Sequence, residues 1–591
     1  MSEFTRANSR AIPLPGLTVE IALYGALVLI GLGARVAALG DAPLNAEEAR
    51  QALAALNFAR GTPDAFTGSP LLFAGNTLLF LLFGANETTA RLLPALFGTA
   101  LIALPALLRR ELGRPGALIA SALFVFSPSL VLFARTAHGT LIAVTCAFAA
   151  FAFGWRYLNE RVPRELNFAA LCAALAVLAA REVWTIALAF AVFAVLARAL
   201  GLLAPQDAKL DMRNALLLFV GIVVSVATLF LFRREGLGAT FDLLGTWLEG
   251  LTPGLAFYDP LRLLVIYDPI PLFLGVAGLI ALGFVAMDEH ARAFFNALAL
   301  WIIVAFVLYS LGADKHPARV SVLVVPLALI AGWYVGGWLE RAVQETDREF
   351  FLAQELPVFF FACVIGGFLY LLLAEFVTRG SILAASVLAA LLGIERAPEF
   401  DGQVIVVLLL LSVVAIVFLT LATVGVQRAR VIGLALVLSG LSLWTVRQTA
   451  FVNFPGGIGL NPREYLIARA ASPNVRDLER DVRDAGRWRA NDATTLALVA
   501  DETLNPIVAW TVRDFRNVRL MARPTLAPDT QAVLLAARAP APARNWIGQT
   551  YTLEATRATS LQPSAFLRWL FFRDTGGIEI SDATLWLPPP Q

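Results

Sequence analysis

The chain is dominated by apolar runs of membrane-spanning length. A helix needs about 20 apolar residues to cross the hydrocarbon core of a bilayer. The composition, 58% hydrophobic and 15% charged, lies outside the range of soluble domains, which average about 25% charged residues. We therefore expect an α-helical polytopic membrane protein with about thirteen transmembrane helices. The runs lie near 14–40, 88–108, 115–134, 138–157, 166–181, 183–203, 214–232, 269–287, 294–311, 318–339, 355–377, 403–426 and 430–448.

The charges of the loops predict which side of the membrane each loop occupies, because arginine and lysine favour the cytoplasmic side. With the N-terminus inside, the loops that carry Arg109 and Arg428 are cytoplasmic, and the acidic first loop, about 41–87, is outside. The loop at 233–268 is an exception, since it is placed outside and opens with two arginines. The short apolar stretch 70–83 suits a helix lying in the interface. We expect a multi-pass cell-membrane protein with a cytoplasmic N-terminus.

The last part of the chain, 451–591, changes character and loses the long apolar runs. An odd number of spans places it on the extracytoplasmic side, beyond a transmembrane domain of residues 1–450. We expect a small soluble α/β domain there, because short β-rich runs alternate with helical patterns. The strand-like runs are 496–500 and 533–536, and the helical patterns are 506–515 and 565–572.

A pair of carboxylates, Glu47 and Glu48, lies just beyond the first apolar run. Asn45 is a suitable N-cap, so both would lie in the first turn of a short helix, where acidic side chains are also favourable without any chemistry. The functional interpretation is a general base or a metal ligand that activates an acceptor hydroxyl at the membrane surface. Adjacent residues point about 100° apart on a helix, so one of the two would face a substrate. The spacing does not choose between them.

Two further outer loops carry groups that suit a phosphate. Arg135 could hold a phosphate through its planar fork, and His138 could donate a hydrogen bond, although an interface-anchoring arginine and an ordinary loop histidine fit the same positions. Lys315 and His316 belong to a short cationic loop on the side where positive charge is normally disfavoured. Asp268, at the start of a later span, is a weaker candidate that also fits a helix-start turn.

The remaining composition limits cofactors and partners. The chain has three histidines and three cysteines, which argue against a His-rich zinc site and a disulfide framework. A catalytic metal, if there is one, would then be a hard cation such as Mg²⁺ or Mn²⁺ held mainly by carboxylates. The basic residues are scattered rather than clustered, so no nucleic-acid partner is expected. Arg181 and Glu182, adjacent between two spans, fit a local ion pair.

Several segments, taken in order, resemble the GT-C class of membrane glycosyltransferases, which includes protein mannosyltransferases. Among these, the chain looks most similar to a prokaryotic branch of flippase-activity-associated proteins. The segment 91–98 is the most specific of the matches. The matching segments are Glu47-Glu48-Ala49, 69–72, 83–98, Ser127-Pro128 with Arg135, Asp314-Lys315 with Pro326 and 331–333, and 506–518.

The resemblance implies a polyprenyl-phosphate sugar donor, an inverting transfer and an acceptor, protein or glycan, on the outer side. It assigns the catalytic base to Glu47, with Glu48 beside it. Arg135 and Lys315 would then lie near the donor phosphate. Arg91, within the specific segment, joins Arg135, His138, Asp268, Lys315 and His316 as a candidate substrate-binding residue.

The chain also departs from the pattern of the class. Gln51 stands where a histidine is common, 67–70 replaces a His-Gly-Pro motif, and His138 and Thr140 stand where an arginine and an acid often follow. These changes leave open a second function, that of a non-catalytic partner in lipid-linked sugar flipping or glycan export. A secondary transporter is third, because the charged groups lie at the outer ends of spans rather than at the midplane.

Overall fold

The computed structural model is a bundle of apolar helices joined to a mixed α/β domain. It describes residues 19–62, 68–199, 209–254, 257–345, 354–393, 400–454, 461–504, 506–543, 545–557, 566–573 and 577–589. The helices of the bundle are α1 (Val19–Val36), α2 (Ala46–Ala59), α3 (Pro70–Phe83), α4 (Glu87–Ala103), α5 (Arg109–Leu112), α6 (Arg114–Phe126), α7 (Pro128–Ala134), α8 (Thr140–Glu160), α9 (Pro163–Ala179), α10 (Val183–Ala199), α11 (Lys209–Ala227), α12 (Gly236–Glu249), α13 (Asp259–Tyr267), α14 (Pro269–Leu282), α15 (Glu289–Leu311), α16 (Val320–Glu345), α17 (Leu356–Arg379), α18 (Leu383–Leu392) and α19 (Phe400–Asn453).

The described residues hold fewer helices of membrane-spanning length than the sequence predicts. Within the described ranges, eight helices are long and apolar enough to cross a bilayer, and two bent helix pairs raise the number to ten. The described helices thus account for ten of the thirteen expected spans by this criterion. The other three predicted runs form α9, α10 and α11, which are helical and do not meet the criterion over their described residues.

Prolines mark the two bent pairs. The axes of α6 and α7 differ by 61° across Ser127, and those of α13 and α14 differ by 110° across Asp268. In each pair a proline, Pro128 or Pro269, opens the second helix. A proline lacks the backbone N–H that would continue the hydrogen-bond ladder of the preceding helix. Both bends thus follow from the sequence, although the apolar run 115–134 alone predicts one straight span.

The C-terminal α/β domain is confirmed, with the predicted strands and helices close to their expected places. Its described strands form one six-stranded sheet in the order β1-β5-β6-β4-β2-β3, with parallel pairing of β2 to β3 and β4 and antiparallel pairing elsewhere. The strands are β1 (Arg469–Ala471), β2 (Leu498–Asp501), β3 (Val518–Met521), β4 (Ala532–Ala536), β5 (Ile547–Arg557) and β6 (Ile578–Leu587), and the helices are α20 (Asn474–Ala490), α21 (Pro506–Thr511) and α22 (Phe566–Phe572).

A buried polar network attaches this domain to the bundle. The Tyr267 hydroxyl at the end of α13 donates to Glu464 at 2.5 Å, and the Arg573 guanidinium donates to the same carboxylate at 2.6 Å. Arg573 also donates to Gln448 of α19 at 2.8 Å. A charge pair buried this deeply is costly to break. The domain is therefore fixed over the end of the bundle that carries the first loop.

The first loop is held between the bundle and the sheet. Apolar side chains of α2 and α3 share one buried core with the strands and helices of the C-terminal domain. At the start of α2, the Asn45 side chain accepts from the N–H groups of Glu47 and Glu48, and Glu48 accepts from the Asn45 N–H in return. This capping box confirms the predicted N-cap and fixes the direction of the Glu48 carboxylate.

Candidate functional site

Glu48 is a structural carboxylate whose oxygens are fully used. Its side chain is buried and pairs with Arg91 through two hydrogen bonds of 2.8 Å. It also accepts from the backbone N–H of Ala137 at 2.8 Å and of Asn45 at 3.0 Å. Burial raises the pKa of Glu48, but the Arg91 guanidinium and these hydrogen bonds outweigh it and hold the pKa below its ordinary value. Glu48 thus joins α2, α4 and the 135–139 loop.

Glu47 points the other way, towards open space. Its side chain is 48% exposed, and two imidazoles approach it from separate loops. The Nε2 atom of His138 lies 3.2 Å from one carboxylate oxygen, and the Nε2 atom of His316 lies 3.8 Å from the other. The two rings are stacked, with centroids 5.1 Å apart and planes inclined by 13°. The structure therefore brings together three of the predicted site residues.

The three groups differ in charge. The hydrogen bond from His138 lowers the pKa of Glu47 to about 2, against the opposing effect of burial. Burial lowers the pKa of His138, but the hydrogen bond and charge of Glu47 outweigh it and raise the pKa above its ordinary value. Burial and the neighbouring His138 lower the pKa of His316 to about 4. At neutral pH Glu47 is thus ionised and His316 is neutral, and the charged form of His138 is favoured relative to that of a free histidine.

Two cavities meet at Glu47 and His138 in the described part of the protein. The larger has a volume of about 660 Å³ and lies between α2, α12 and the connection from α9 to α10, with Arg50 and Arg181 in its wall. The smaller, of about 50 Å³, lies towards the C-terminal domain and is bounded by His316 and residues 466–469. Glu47 is exposed to both, so one carboxylate can contact two bound molecules.

The two cationic side chains predicted to bind phosphate, Arg135 and Lys315, donate hydrogen bonds to backbone carbonyls of the protein itself. Arg135 donates to the backbone carbonyls of Ala34 and Ala37 at 3.1 and 2.6 Å, and its guanidinium lies 4.7 Å from the ring centroid of Phe454. The Nζ atom of Lys315 donates to two carbonyls at the end of α15, at 2.9 and 2.7 Å. Such contacts place charge near the site without leaving either group free in this conformation. Their predicted phosphate contacts stay predictions.

Arg91 and Asp268 lie apart from the cavities. Besides Glu48, the Arg91 guanidinium donates to the carbonyls of Leu39, Ala42 and Pro43. Asp268 is fully buried at the bend between α13 and α14, where it accepts from the hydroxyls of Ser127 and Ser129 at 2.5 Å each. Neither residue lines the two cavities at Glu47. Their predicted contact with substrate stays untested.

Sequence reasoning missed three groups at the site. Arg50 is exposed, one helical turn after Glu47, and lines the larger cavity. Arg181 pairs with Asp314 as well as with its neighbour Glu182. Glu182 is buried and accepts a hydrogen bond from Thr140 at 3.2 Å, so it belongs to the site rather than to a local pair alone. The spacing of Arg50 after Glu47 was the available signal.

The residues that meet here do not fit a metal site. Glu47, His138 and His316 have ligand atoms within 4.8 Å of one another, a set that contains two nitrogens and so does not suit Mg²⁺ or Mn²⁺. Zinc accepts such a set, but a ligating imidazole must offer a lone pair. The Nδ1 atom of His316 accepts the N–H of Ala318 at 3.3 Å, which leaves the proton of the neutral ring on Nε2, facing Glu47. We therefore derive no step through a metal, and the predicted cation stays a prediction.

Comparison with known proteins identifies the fold. No protein-family model and no curated protein matches the chain. The crystal structure of ArnT from Cupriavidus metallidurans bound to undecaprenyl phosphate matches with a TM-score of 0.53 at 15% identity, over 97% of this chain and 99% of that one. The protein has a GT-C fold. ArnT in the apo state gives 0.50 at 16% identity over 84% and 85% of the two chains. The apo oligosaccharyltransferase of Archaeoglobus fulgidus gives 0.45 at 13% identity over 84% and 64%.

Proposed function

We propose that the protein is a membrane glycosyltransferase that takes a sugar from a polyprenyl-phosphate donor and passes it to an acceptor on the extracytoplasmic side. The observation that carries the proposal is the half-exposed carboxylate of Glu47, which faces two cavities on the first loop of a GT-C fold. The similar ArnT structure, bound to undecaprenyl phosphate, supports a lipid phosphate as the donor class.

Glu47 is the group that receives the proton of the acceptor. The oxygen of the acceptor attacks the anomeric carbon of the sugar, the bond from that carbon to the phosphate oxygen breaks, and the lipid phosphate leaves. A carboxylate whose pKa is about 2 does not deprotonate a free hydroxyl. It does accept the proton of the strongly acidic oxonium that forms as the new bond closes on an oxocarbenium-like centre. A depressed pKa thus keeps Glu47 ionised and ready without making it too weak for this step.

The larger cavity supports the position of the donor. Its wall holds the exposed guanidinium of Arg50, Arg181 and the His138 ring, together with the carboxylates of Glu47, Glu182, Asp242 and Glu249, so Arg50 is the cation proposed to meet the donor phosphate. Positive groups at this place stabilise the charge that develops on a departing phosphate. The smaller cavity, which reaches the C-terminal domain at residues 466–469, is left for the acceptor.

The test compares variants in transfer from radiolabelled polyprenyl-phosphate mannose and polyprenyl-phosphate glucose, with an extract of the source membrane as acceptor. Glu47→Gln is expected to lower kcat by about 10²–10⁴-fold, the usual contribution of a general base. The matched control is Glu289→Gln, since Glu289 is also an exposed carboxylate in the first turn of a helix, α15. Equal activity of Glu47→Gln and the control would contradict the assignment.

The same experiment distinguishes the glycosyltransferase from the second candidate function. A non-catalytic partner in lipid-linked sugar flipping or glycan export would bind the labelled donor without releasing its sugar. If the protein is a glycosyltransferase, the departures at Gln51, His138 and Thr140 favour a different substrate. If it is a non-catalytic partner, they favour the loss of transferase activity. Donor binding by the wild-type protein with no labelled product would decide for the partner function.

A further inference from the structure

The first turn of α2 is capped from two separate parts of the chain. The Asn45 side chain accepts from the N–H groups of Glu47 and Glu48 at 3.0 Å each. The N–H of Ala46, the first residue of the helix, donates instead to the carboxylate of Glu554 on β5 at 3.0 Å. Such N–H groups have no acceptor within the helix itself, and an acidic side chain at a helix start is favourable. The helix that carries Glu47 therefore takes one of its caps from the C-terminal domain.

Glu554 lies directly after a bulge in the sheet. The register between β5 and β6 shifts between Thr552 and Glu554, which makes Leu553 an extra residue of β5. Leu553 and Glu554 are both buried, whereas successive side chains of a regular strand point to opposite faces. Bulges re-aim side chains and are frequent next to active sites. The other oxygen of the Glu554 carboxylate pairs with Arg469 at 3.3 Å, so both oxygens of this buried group have a partner.

The same domain also holds the other end of α2. Arg60, which directly follows the helix, donates to the carbonyl of Arg513 at 2.6 Å and to the carboxylate of Asp514 at 3.2 Å. Between the two ends, apolar side chains of α2 share a buried core with the sheet. The C-terminal domain thus contacts α2 at its start, at its end and in between.

The bundle holds the same first turn through Glu48, which accepts two hydrogen bonds from Arg91 of α4. Glu47 thus lies between two residues with different partners, Ala46 bonded to the C-terminal domain and Glu48 bonded to the bundle. The two imidazoles that face Glu47 come from loops of the bundle. The distance between the carboxylate and these rings therefore depends on both contacts of the first turn.

We propose that Glu554 is a positioning residue for Glu47. By accepting the Ala46 N–H, it fixes the start of α2 from the C-terminal domain and holds the Glu47 carboxylate at the meeting point of the two cavities. Glu554 lines neither cavity and contacts no substrate in this account. The C-terminal domain thereby becomes a part of the transfer site. This role in transfer rests on the proposed function, whereas the cap itself does not.

The first experiment measures the cap without any activity. Hydrogen exchange of the backbone amides of residues 45–49 is followed by mass spectrometry on the full-length protein in detergent. Glu554→Leu leaves the Ala46 N–H without its acceptor, so exchange in this segment should be faster by about fivefold to tenfold, the usual contribution of one hydrogen bond. Glu554→Gln keeps an amide oxygen as the acceptor and should exchange as the wild type does. Wild-type exchange in Glu554→Leu would overturn the proposal.

The second experiment measures the transfer kinetics. Glu554→Leu is expected to lower kcat by about tenfold to 10²-fold, because a small misplacement of a reacting group costs up to about 10²-fold. The KM for polyprenyl-phosphate mannose should stay unchanged, and Glu554→Gln should retain the wild-type kcat. Glu579→Leu makes the same substitution at an exposed carboxylate on the neighbouring strand β6 and should change neither constant. An equal loss of kcat in Glu554→Gln and Glu554→Leu, or a raised KM alone, would overturn the positioning role.

A further variant removes the donor instead of the acceptor. Ala46→Pro deletes the N–H at a position where proline is favoured, and Asn45 already has the extended backbone that precedes a proline, with φ −74° and ψ 173°. Both changes break the same hydrogen bond, so the variant that carries both should have a kcat no lower than that of Glu554→Leu. Losses that multiply in the double variant would overturn the proposal. If Glu554→Leu does not fold, Ala46→Pro decides alone: its kcat should fall, and a wild-type kcat would overturn the proposal.

The proposed function and the positioning role fail by different results. A wild-type protein that transfers no sugar would overturn the proposed function, while the exchange measurement, which uses no substrate, still tests the cap. Transfer by the wild type together with an unchanged kcat in Glu554→Leu would overturn the positioning role alone.

Discussion

The two faces of α2 show how differently a fold can use two adjacent carboxylates. On one face, Glu48 accepts two hydrogen bonds from Arg91 and two more from backbone N–H groups, all within the protein core. On the other face, Glu47 is half exposed and faces two stacked imidazoles and two cavities. Identical side chains thus become a structural anchor and a candidate reactive group.

The difference arises from desolvation. A carboxylate can be buried only when hydrogen bonds or an ion pair offset the desolvation cost of each oxygen. Those contacts use the oxygen lone pairs that would otherwise accept a proton from a substrate. Glu47 has no guanidinium partner among the described residues: one imidazole lies at 3.2 Å and another at 3.8 Å, and the rest of its surroundings are the two cavities. Glu48 holds the first turn of α2 in place, and this determines the direction in which the neighbouring Glu47 side chain points.

The largest expected effect concerns the face of α2 that carries Glu48. Arg91→Met leaves the Glu48 carboxylate buried without its partner, which typically costs about 3–5 kcal/mol of stability. Thermal unfolding in detergent should therefore show a midpoint well below that of the wild type. Arg60→Met is the control, because Arg60 pairs with Asp514 while 45% exposed, and exposed pairs contribute less than about 1 kcal/mol.

A double variant sharpens this test. Adding Glu48→Leu to Arg91→Met removes the unpaired buried charge, so much of the lost stability should return. If the double variant were no more stable than Arg91→Met, the cost would lie in lost packing rather than in the isolated carboxylate.

The next effect concerns the cavity face. Arg50→Gln should raise the KM for polyprenyl-phosphate mannose by about fivefold with little change in kcat, the size expected of an exposed charge worth about 1 kcal/mol. Arg50→Lys keeps the charge and should stay within twofold of the wild type by the same estimate. An unchanged KM in Arg50→Gln would remove this residue from the donor site.

The smallest effect is a change in the shape of a pH profile. Because His138 lowers the pKa of Glu47 to about 2, the ionised carboxylate persists in the wild type as the pH falls to 4. In His138→Gln the pKa should return towards the ordinary value of about 4.3, so kcat/KM at pH 4 should drop about threefold relative to its own value at pH 7. A flat acidic side in this variant would show that His138 does not set the ionisation of Glu47.

Much of the fold could be predicted because it follows from local patterns. The apolar runs became helices, the N-cap at Asn45 formed, and the strands near 498 and 533 appeared in the C-terminal domain. The number of spans was less predictable. The break at Ser127 bends a helix pair that the hydropathy pattern reads as one run, 115–134, and α9, α10 and α11 do not meet the length and apolarity of a full span over their described residues.

The site was predictable as a set of residues but not as an arrangement. His138 and His316 were singled out separately, and their meeting on Glu47 depends on how three loops converge. Counting histidines argued against a cluster because it could not foresee that two of the three would stack. Glu182 was read as a local pair, since nothing in the sequence indicates that Thr140 lies within hydrogen-bond distance of it.

The most direct measurement compares Glu47→Gln with Glu48→Gln in the same preparation, recording both sugar transfer and the thermal midpoint. Glu47→Gln is expected to lose transfer by about 10²-fold or more while unfolding at the wild-type temperature. Glu48→Gln is expected to unfold at a clearly lower temperature. Transfer by Glu47→Gln at the wild-type rate, or a Glu48→Gln protein of full stability, would contradict the division of roles between the two faces of α2.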